Sequence, residues 1–464
     1  MNVMATQTEE LFRSKPVFRA IMTLALPSVI GQIILVIYNM ADTLFVGMTG
    51  SDAMITAVTV CMPAFLFLSA ISNLFGVGGA SVIARALGVG NTERVKRTFS
   101  FAAWGCTLVT LVYVGGCILF RDAFLDALGG RQTTVHGFAM EYFTVAVVLG
   151  GLPTALNTLL SHLIRAEGHS TAAGIGIALG GILNVALDPL FMFVILPDGR
   201  EALGAAVATA VSNVIALIYY VVFLLRQKNK LIVSFVPRKT CLCDGIPRGV
   251  FAAGIPACLM TLCENISYAI LDSLMAVVGT AAQAGIGVAK KVNMLAHSIV
   301  RGMTQGVLPL LGYNYASGDR KRMRKILSAS GGISVGISIV CMSVCLVFAA
   351  PLIHLFIHSG SVSADYGERF LRVLCLGAPF SAFAYTVISF FQAVGKGNRS
   401  LLLALLRKGI LDIPLMYLLQ EAYPVYGIVW ATPVADCVCC IVAIALISYW
   451  LARHARENKA PKFQ

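Results

Sequence analysis

The chain has 464 residues, of which 58% are hydrophobic and only 12% are charged, and its mean hydropathy is +0.83. Soluble domains carry about 25% charged residues, so this composition indicates an all-α integral membrane protein. The net charge of +13 does not indicate nucleic-acid binding, because the basic residues are concentrated in alternate loops and no nucleic-acid motif accompanies them.

Apolar stretches long enough to cross a lipid bilayer recur about twelve times along the chain. A polar, basic connection (227–248) divides the chain into two predicted lobes (17–226 and 249–451), flanked by a polar N-terminal segment (1–16) and a tail (452–464). The predicted spans are Val17–Val46, Ala53–Ile83, Thr98–Phe120, Gly137–Leu163, Thr171–Ile195, Leu203–Leu225, Phe251–Val277, Ala281–Leu311, Ile326–Phe356, Tyr366–Val394, Leu401–Leu419 and Val425–Leu451.

The distribution of Lys and Arg predicts the orientation of these spans. Most of the 35 basic residues lie in the N-terminal segment, in the loops after the second and eighth spans, in the connection and in the tail. Cytoplasmic loops of membrane proteins carry an excess of basic residues, so both termini are expected in the cytoplasm. An even number of spans agrees with this orientation.

The two halves of the chain repeat one another in order. The distance between corresponding residues ranges from 223 positions (Gly204 and Gly427) to 229 positions (Pro27 and Pro256). Because each half has six predicted spans, the repeat predicts two six-helix bundles related by a pseudo-twofold axis along the membrane normal, an arrangement typical of alternating-access transporters. The corresponding segments are Leu26-Pro27 with Ile255-Pro256, Gly90-Asn91 with Gly318-Asp319, Arg165-Ala166-Glu167-Gly168 with Gln392-Ala393-Val394-Gly395, Gly181-Ile182-Leu183 with Gly409-Ile410-Leu411, and Gly204 to Thr209 with Gly427 to Thr432.

A carboxylate in the fifth span is the most informative single residue. Asp188 lies in an otherwise apolar helix, where a charge costs about 3 kcal/mol on insertion scales. Asn184 precedes it by four residues and therefore shares its helix face. At a rise of ~1.5 Å per residue, Asp42 and Thr209 reach a comparable depth in the outer half of the bilayer. Tyr38 lies one turn before Asp42.

These five side chains predict a cation- or proton-coupling site. Carboxylate, amide and hydroxyl oxygens are suitable ligands for a hard monovalent cation such as Na+, and a carboxylate can instead hold a proton. The Na+ reading uses Asp42, Asn184, Asp188 and Thr209 as ligands. Simpler interpretations are a helix-end charge at the membrane interface for Asp42 and a satisfied contact between helices for Asp188.

The second half carries intramembrane charges of its own. Glu264 is expected near the midplane of the seventh span, Asp272 near the repeat position of Asp42, and Arg301 deep in the eighth span. Together with Asn39, these residues are candidates for a substrate site or a second coupling site. The other intramembrane charges are Lys290, Lys291, Arg407, Asp412 and Asp436, among which Arg407 and Asp412 are poorly spaced for a pair on one helix but could pair across helices.

The sequence does not indicate an enzyme or a bound cofactor. It contains no Walker motif for ATP hydrolysis and no His-Glu-x-x-His zinc motif. Most of its 13 cysteines lie in apolar spans, where a free cysteine behaves as a small apolar residue. Cys241 and Cys243 have no partner histidines, so no metal site is predicted there.

The motifs, taken in order, resemble those of the MATE (multidrug and toxic compound extrusion) transporters, over essentially the whole chain. The matching segments are Leu26-Pro27 through Gly31-Gln32 to Tyr38-Asn39-Met40-Ala41-Asp42, Gly78-Gly79-Ala80, Ala84-Arg85-Ala86-Leu87-Gly88, Arg165-Ala166-Glu167-Gly168, Asn184 with Asp188-Pro189, Gly204-Ala205-Ala206, Gln305-Gly306, Gly312-Tyr313-Asn314-Tyr315, and Gln392-Ala393 with Gly395-Lys396.

This resemblance implies antiport: an organic cation or drug leaves the cell while Na+ or H+ enters, without any cofactor. It implies a cation site at Asp42, Asn184, Asp188 and Thr209, with Tyr38 nearby, and a seventh-helix glutamate at Glu264. The protein is then expected to be a multi-pass monomer in the inner or plasma membrane, with small-molecule drugs, the coupling ion and the lipid bilayer as partners. The resemblance does not distinguish Na+ from H+.

Two other functions stay open at this stage. A lipid-linked oligosaccharide flippase of the same superfamily would carry more cationic residues along its cavity, and Lys290, Lys291 and Arg301 are compatible with that function. A membrane-embedded transferase would gather catalytic residues at one membrane face beside a long loop. The predicted loops are short and the N-lobe acids are expected inside the helices, which argues against the transferase.

Overall fold

The computed structural model describes residues 10–127, 133–227, 231–236, 239–357 and 360–457. Within these ranges the regular secondary structure is helical, as the composition predicts. A single π-helical turn, Glu10–Ser14, precedes the first long helix.

Eight α-helices of the described residues form the N-lobe. Two of them are extended by π-helical turns, Thr144–Leu149 after α5 and Phe191–Ile195 after α7. The helices are α1 (Val17–Met48), α2 (Asp52–Gly88), α3 (Thr92–Leu119), α4 (Arg121–Ala127), α5 (Thr133–Phe143), α6 (Gly151–Ala166), α7 (Ser170–Leu190) and α8 (Glu201–Arg226).

The C-lobe has a closely similar order of helices, with a π-helical segment (Leu406–Leu411) between its two shortened central helices. Its helices are α9 (Ile246–Val278), α10 (Thr280–Ala316), α11 (Arg320–Val347), α12 (Ala349–His354), α13 (Val362–Cys375), α14 (Ala378–Ala393), α15 (Gly397–Leu405), α16 (Asp412–Ala422) and α17 (Tyr426–Glu457).

The sequence repeat corresponds to a repeated local structure at the start of α3 and α11. Asn91 caps α3 by accepting the Arg94 N–H at 2.9 Å, and Asp319 caps α11 by accepting the Arg322 N–H at the same distance. Both caps follow a glycine in the left-handed region, Gly90 (φ 73°) and Gly318 (φ 82°), a conformation that ends the preceding helix. The two halves therefore share the same type of turn and helix cap at this point, as well as a similar hydropathy pattern.

Eight helices of the described residues are long and apolar enough to cross a membrane, and ten spans result if two bent helix pairs are each counted as one. The bent pairs are α5–α6 and α13–α14, with bends of 44° and 46°. The predicted span Ala281–Leu311 is one helix that contains Lys290, Lys291 and Arg301, and the predicted span Leu401–Leu419 is divided among α15, a π-helical segment and α16, so neither is among these spans. The total of twelve spans therefore stays a prediction, as does the orientation of the termini.

The two lobes meet where helices cross at glycine residues. A Cβ atom added to Gly254 of α9 would lie 1.9 Å from the Leu74 carbonyl oxygen of α2, and one added to Gly306 of α10 would lie 2.5 Å from the Ala25 Cα atom of α1. Only a residue without a side chain permits backbones to approach this closely. These crossings fix α1 and α2 of the N-lobe against α10 and α9 of the C-lobe.

The crossings lie in the half of the molecule that holds the start of α1 and the end of α10. The direct hydrogen bonds between helices of the two lobes in the described chain lie in the same half, and they include Gln32 with Gln305 (3.4 Å), Asn73 with Thr261 (3.0 Å) and Ser81 with the Gln392 carbonyl (2.5 Å). The lobes are thus closed on the predicted cytoplasmic side.

The connection between the lobes is hydrogen-bonded to the N-lobe. Trp104 and Ser100 of α3 donate hydrogen bonds to the carbonyls of Phe235 (2.8 Å) and Val236 (2.9 Å). The Ile232 N–H donates to Glu167 at 3.0 Å. Helix α9 begins at Ile246, inside the predicted connection 227–248, so the C-lobe starts three residues earlier than the sequence analysis placed it.

The predicted N-terminal segment also contributes to packing between elements. Phe12 of the first π-helical turn is fully buried, and its carbonyl accepts hydrogen bonds from Asn314 (3.1 Å) and Arg322 (3.0 Å) of the C-lobe. At the other end of the chain, Arg320 and Arg324 of α11 donate to the His454 and Leu451 carbonyls of α17, each at 3.3 Å.

The glycine crossing of α2 and α9 gives a test of the fold. Gly254→Ala places a methyl group against the Leu74 carbonyl, so it should lower the free energy of unfolding by about 1–3 kcal/mol, as overpacking does elsewhere. Gly287→Ala in α10 is the matched control, because nothing lies within 4 Å of its added Cβ. Thermal unfolding in detergent measures both. Equal melting temperatures for the two variants would contradict the close crossing.

Candidate functional site

A cavity of about 440 Å³ lies between the two lobes. Helices α1, α2, α5, α6, α7 and α8 of the N-lobe line one side of it, and α9, α10 and α14 of the C-lobe line the other. Its wall combines apolar residues with charged ones, and the charged residues lie in separate clusters. A mostly apolar concave site with a few convergent polar groups is typical of small-molecule binding.

Asn184 is the centre of the N-lobe cluster. Its amide nitrogen donates to Asp188 Oδ1 one turn along α7 and to Thr209 Oγ1 of α8, each at 3.2 Å. The structure thus brings together three of the residues that the sequence singled out. The i,i+4 spacing on α7 accounts for the first contact, and the packing of α8 against α7 accounts for the second.

Three oxygen atoms of this cluster are buried without a hydrogen-bond donor. They are Asp42 Oδ1, Asn184 Oδ1 and Asp188 Oδ2. Asp42 is 6% exposed and Asp188 is 0% exposed, and the two carboxylates are close enough to interact electrostatically. Buried acceptor oxygens without donors are energetically unfavourable unless a cation or a proton satisfies them.

Tyrosine side chains surround the cluster. Tyr38 lines the cavity one turn before Asp42, and Asn39 also lines it while donating to the Leu35 carbonyl at 2.6 Å. Tyr142 of α5 is 3% exposed, lies within electrostatic range of both carboxylates and lines the same cavity. Tyr142 is not among the residues predicted from the sequence, because nothing in its local pattern distinguishes it from a packing residue.

Glu264 forms the main polar cluster on the C-lobe side of the cavity. Arg301 Nη2 donates to Glu264 Oε2 at 2.8 Å, and the Tyr385 hydroxyl donates to Glu264 Oε1 at 3.1 Å. Glu264 is buried, whereas the Arg301 side chain is 35% exposed. All three residues line the cavity. Glu264 therefore has a cationic partner, whereas the N-lobe carboxylates Asp42 and Asp188 have none within salt-bridge distance among the described residues.

Two further ion pairs are buried in the C-lobe behind the cavity wall. Arg407 Nε donates to Asp436 Oδ1 at 2.6 Å, and the Arg407 guanidinium lies 4.3 Å from the centre of the Tyr385 ring. Lys408 Nζ donates to Asp412 Oδ2 at 2.7 Å. The expected pairing of Arg407 with Asp412 is therefore wrong: each has a different partner, because adjacent Lys408 is one helical turn from Asp412.

Asp272 lies outside the cavity wall. It forms an ion pair with Lys290, and its side chain is 42% exposed. The neighbouring Lys291 lines the cavity and lies within electrostatic range of Asp42 across the gap between the lobes. Of the three cations that are compatible with a flippase, Lys290 and Arg301 are thus neutralised by carboxylates.

The described residues contain no group of three or more His, Cys, Asp or Glu side chains that could hold a metal ion. All 13 cysteines are free thiols, and most are buried or half-buried. The carboxylate–amide–hydroxyl cluster of the N-lobe is therefore a candidate for a monovalent cation or a proton, and its donor set differs from that of a transition-metal centre.

Comparison with known proteins agrees with this architecture. Multidrug export protein MepA of Staphylococcus saprophyticus is 28% identical over 452 residues, which cover 97% of each chain. MepA of Staphylococcus aureus (strain NCTC 8325) is 27% identical over 440 residues, covering 94% of each. These relatives are transporters.

Solved structures share the fold. An outward-facing multidrug resistance MATE family transporter of the MOP superfamily superimposes with a TM-score of 0.89 at 23% identity, over 97% of this chain and 99% of that one. A MOP superfamily transporter from Pyrococcus furiosus, described with a binding pocket of reversed polarity, gives a TM-score of 0.84 at 23% identity, over 96% and 98%.

The sequence also matches the MatE family model twice, once in each lobe. The first match covers residues 27–190 and the second covers residues 256–418, so the duplicated unit is the family unit. Together these matches span well over half of the chain. The first contains Asp42, Asn184 and Asp188, and the second contains Glu264, Arg301 and Tyr385. The chain belongs to the MatE family.

Proposed function

We propose that this protein exports drug-like organic molecules across the plasma membrane, and that it exchanges them for Na+ or H+. The observation that carries the proposal is the group of three unpaired acceptor oxygens on Asp42, Asn184 and Asp188 beside a cavity large enough for a small molecule. The names of the MepA relatives support multidrug export as the activity. The protein acts as a multi-pass transporter, and a monomer suffices because the cavity is complete within one chain.

The coupling step follows from the unfavourable free energy of two neighbouring N-lobe carboxylates that share no cation or proton. Two carboxylates near one another repel, and neither has a cationic partner within salt-bridge distance among the described residues. A bound Na+ or a proton removes this repulsion and satisfies the unpaired oxygens. Binding of the ion therefore stabilises a more compact arrangement of α1, α7 and α8, and this change in the N-lobe wall reduces the space for the exported molecule.

Alternating access follows from the way the lobes meet. They touch on the predicted cytoplasmic side, so the cavity opens toward the opposite side, from which the coupling ion arrives. Rocking of one lobe against the other would open the closed side and expose the cavity to the cytoplasm. The ion enters the cell and the organic molecule leaves it in successive half-cycles.

The C-lobe side of the cavity is suited to a ligand with a basic group. Glu264 presents a carboxylate whose partner, Arg301, is partly exposed and attached by a long side chain, so a cationic ligand can compete for it. The pairing of Lys290 and Arg301 with carboxylates lowers the positive charge that an oligosaccharide diphosphate carrier would need. The cavity chemistry thus favours organic cations over a flippase substrate.

Asp188→Asn tests the coupling role. In proteoliposomes it should reduce gradient-driven extrusion of ethidium to the level of empty liposomes, because the amide can neither hold a proton nor balance a cation. Asp198→Asn removes an exposed carboxylate from the loop after α7 and should transport like the wild type. Wild-type rates for Asp188→Asn, measured on a folded protein, would remove this residue from the coupling step.

Asn184→Ala distinguishes between Na+ and H+ as the coupling ion. A Na+ site loses a ligand oxygen in this variant, whereas a proton on Asp188 needs no amide oxygen. If Na+ is the coupling ion, transport driven by a Na+ gradient at constant pH should be lost in Asn184→Ala. If H+ is the coupling ion, transport driven by a pH gradient without Na+ should persist at a reduced rate. Dye extrusion measured under each gradient separately gives the answer.

Glu264→Gln tests the substrate side of the cavity. A hydrogen bond to a charged group contributes about 1.5–3 kcal/mol, so losing it should raise the KM for a cationic dye about tenfold or more. The effect on kcat should be smaller, because the N-lobe cluster is intact. A neutral substrate is the internal control, and its KM should change little. An unchanged KM for both substrates would show that Glu264 does not contact the cargo.

A further inference from the structure

The N-lobe ion cluster has a counterpart in the C-lobe at the repeat-related positions. Asn184 corresponds to Asp412, since Gly181-Ile182-Leu183-Asn184 aligns with Gly409-Ile410-Leu411-Asp412. By the same repeat, Thr209 corresponds to Thr432 and Tyr38 corresponds to Ser267. In both lobes these positions therefore provide a threonine, a second hydroxyl and a central hydrogen-bonding side chain.

The central residue is hydrogen-bonded to the threonine in both lobes, and in the C-lobe it is also hydrogen-bonded to the second hydroxyl. Thr432 Oγ1 donates to Asp412 Oδ1 at 2.9 Å, which corresponds to the contact between Asn184 and Thr209 at 3.2 Å. Ser267 Oγ donates to Asp412 Oδ2 at 2.5 Å. The repeated sequence has thus kept the polar framework of the site in both lobes.

The charges of the two clusters differ in a consistent way. The acids Asp42 and Asp188 correspond to the buried apolar residues Leu271 and Met416. Gly180 of the N-lobe, by contrast, corresponds to Lys408. The N-lobe cluster thus has two carboxylates and no cation of its own, whereas the C-lobe cluster has one carboxylate and one ammonium group.

The ammonium group fills the C-lobe cluster. Lys408 Nζ lies 2.7 Å from Asp412 Oδ2 and 5.2 Å from the centre of the Tyr268 ring, and its side chain is 2% exposed. Whereas three N-lobe oxygens are unpaired, none of the side-chain polar atoms of Ser267, Lys408, Asp412 and Thr432 is buried without a partner. These four residues do not line the cavity, so the filled cluster is closed to it.

A local change in helix geometry accompanies the lysine. The N-lobe helix α7 is regular from Ser170 to Leu190, but the corresponding C-lobe segment is the π-helix Leu406–Leu411. The wider π-helical turn allows adjacent Arg407 and Lys408 to be buried together, at 2% and 1% exposure, each toward its own carboxylate. Such π-helical insertions are frequent at functional sites.

We infer that the C-lobe cluster is a monovalent-cation site that the protein occupies permanently with its own lysine. The Lys408 ammonium takes the place that an exchangeable ion takes in the N-lobe, an assignment that rests on the function proposed above for the N-lobe cluster. Ion exchange is therefore confined to one lobe. The vacated C-lobe site would accept a small ammonium ion or Na+, because the buried Asp412 carboxylate, held in place by hydrogen bonds from Ser267 and Thr432, would otherwise lack a cation.

Removal of the lysine amine tests the inference. In an Asp188→Asn background, which disables the N-lobe site, Lys408→Ala should create one saturable site per chain for radiolabelled methylammonium or ²²Na+, where the background protein binds none. The same cations should raise the melting temperature of Lys408→Ala, and choline should not, because it is too large. Adding Asp412→Asn should abolish both effects. Lys408→Met is the matched control, since its side chain fills the space without a charge and should leave no room for the ion.

Several outcomes would overturn the inference. One is a folded Lys408→Ala protein that shows neither saturable binding nor a cation-dependent rise in melting temperature. Failure of Lys408→Ala to accumulate with either cation present, while the Lys408→Ala/Asp412→Asn protein folds, would also overturn it, because the pocket would then be shown to accept no mobile ion. Accumulation only in the presence of ammonium ions would support it.

The binding assay is independent of the transport assay. Asp188→Asn transport at wild-type rates would disprove the proposed coupling site, while the appearance of a new site in Lys408→Ala would still stand as a property of the C-lobe. Conversely, a coupling defect in Asp188→Asn together with no new site in Lys408→Ala would leave the N-lobe function intact and refute the inference about Lys408.

Discussion

A charge that is buried among membrane helices must be balanced, and the rest of this structure depends on how each lobe meets that requirement. The C-lobe holds three ion pairs between its helices, Glu264 with Arg301, Lys408 with Asp412, and Arg407 with Asp436. In the N-lobe, Asp42 and Asp188 have no cationic partner within salt-bridge distance among the described residues, and one oxygen of each accepts no hydrogen bond. Breaking a buried pair costs several kcal/mol, so the C-lobe pairs hold their helices in one arrangement. The N-lobe, with its unpaired carboxylates, is the part that we propose responds to an ion.

We propose that the two lobes, which have a similar fold, play different roles because their buried charges are paired differently. In the proposed function, the lobe with the buried ion pairs moves as a rigid body, and the lobe with unpaired carboxylates changes its stability when the coupling ion binds. Such coupling needs no long pathway, because Asp42 and Glu264 line the same cavity. The asymmetry lies in a few side chains and in the π-helical segment Leu406–Leu411, within an otherwise similar order of helices.

The N-lobe cluster could be predicted from the sequence because local rules determine most of it. Asn184 and Asp188 share a helix face by spacing alone, and counting residues from the membrane surface places Asp42 and Thr209 at the same depth. The two-lobe architecture follows from the repeat. The bends of 44° and 46° were not foreseen, because the glycines at these points also occur in straight membrane helices. The residue roles stay predictions.

The C-lobe was harder to interpret from the sequence. Arg407 and Lys408 are adjacent, and in a regular α-helix adjacent residues point about 100° apart, which argues against burial of both. The π-helical turn that buries them has no sequence signature that we could read. Tyr385 and Tyr142 were indistinguishable from packing residues, because their roles depend on contacts between segments that are distant in the chain. Residue spacing along the sequence does not predict such contacts between distant segments.

The attachment of the connection bears on how the two-lobed chain arose. Residues 235 and 236 are hydrogen-bonded to α3 of the N-lobe, and the end of α17 is hydrogen-bonded to α11 of the C-lobe. Helices α3 and α11 occupy the same position in the repeat, and each holds a later segment of its own copy. Residues 235 and 236 therefore belong structurally with the first copy of the duplicated unit, although they follow its last helix.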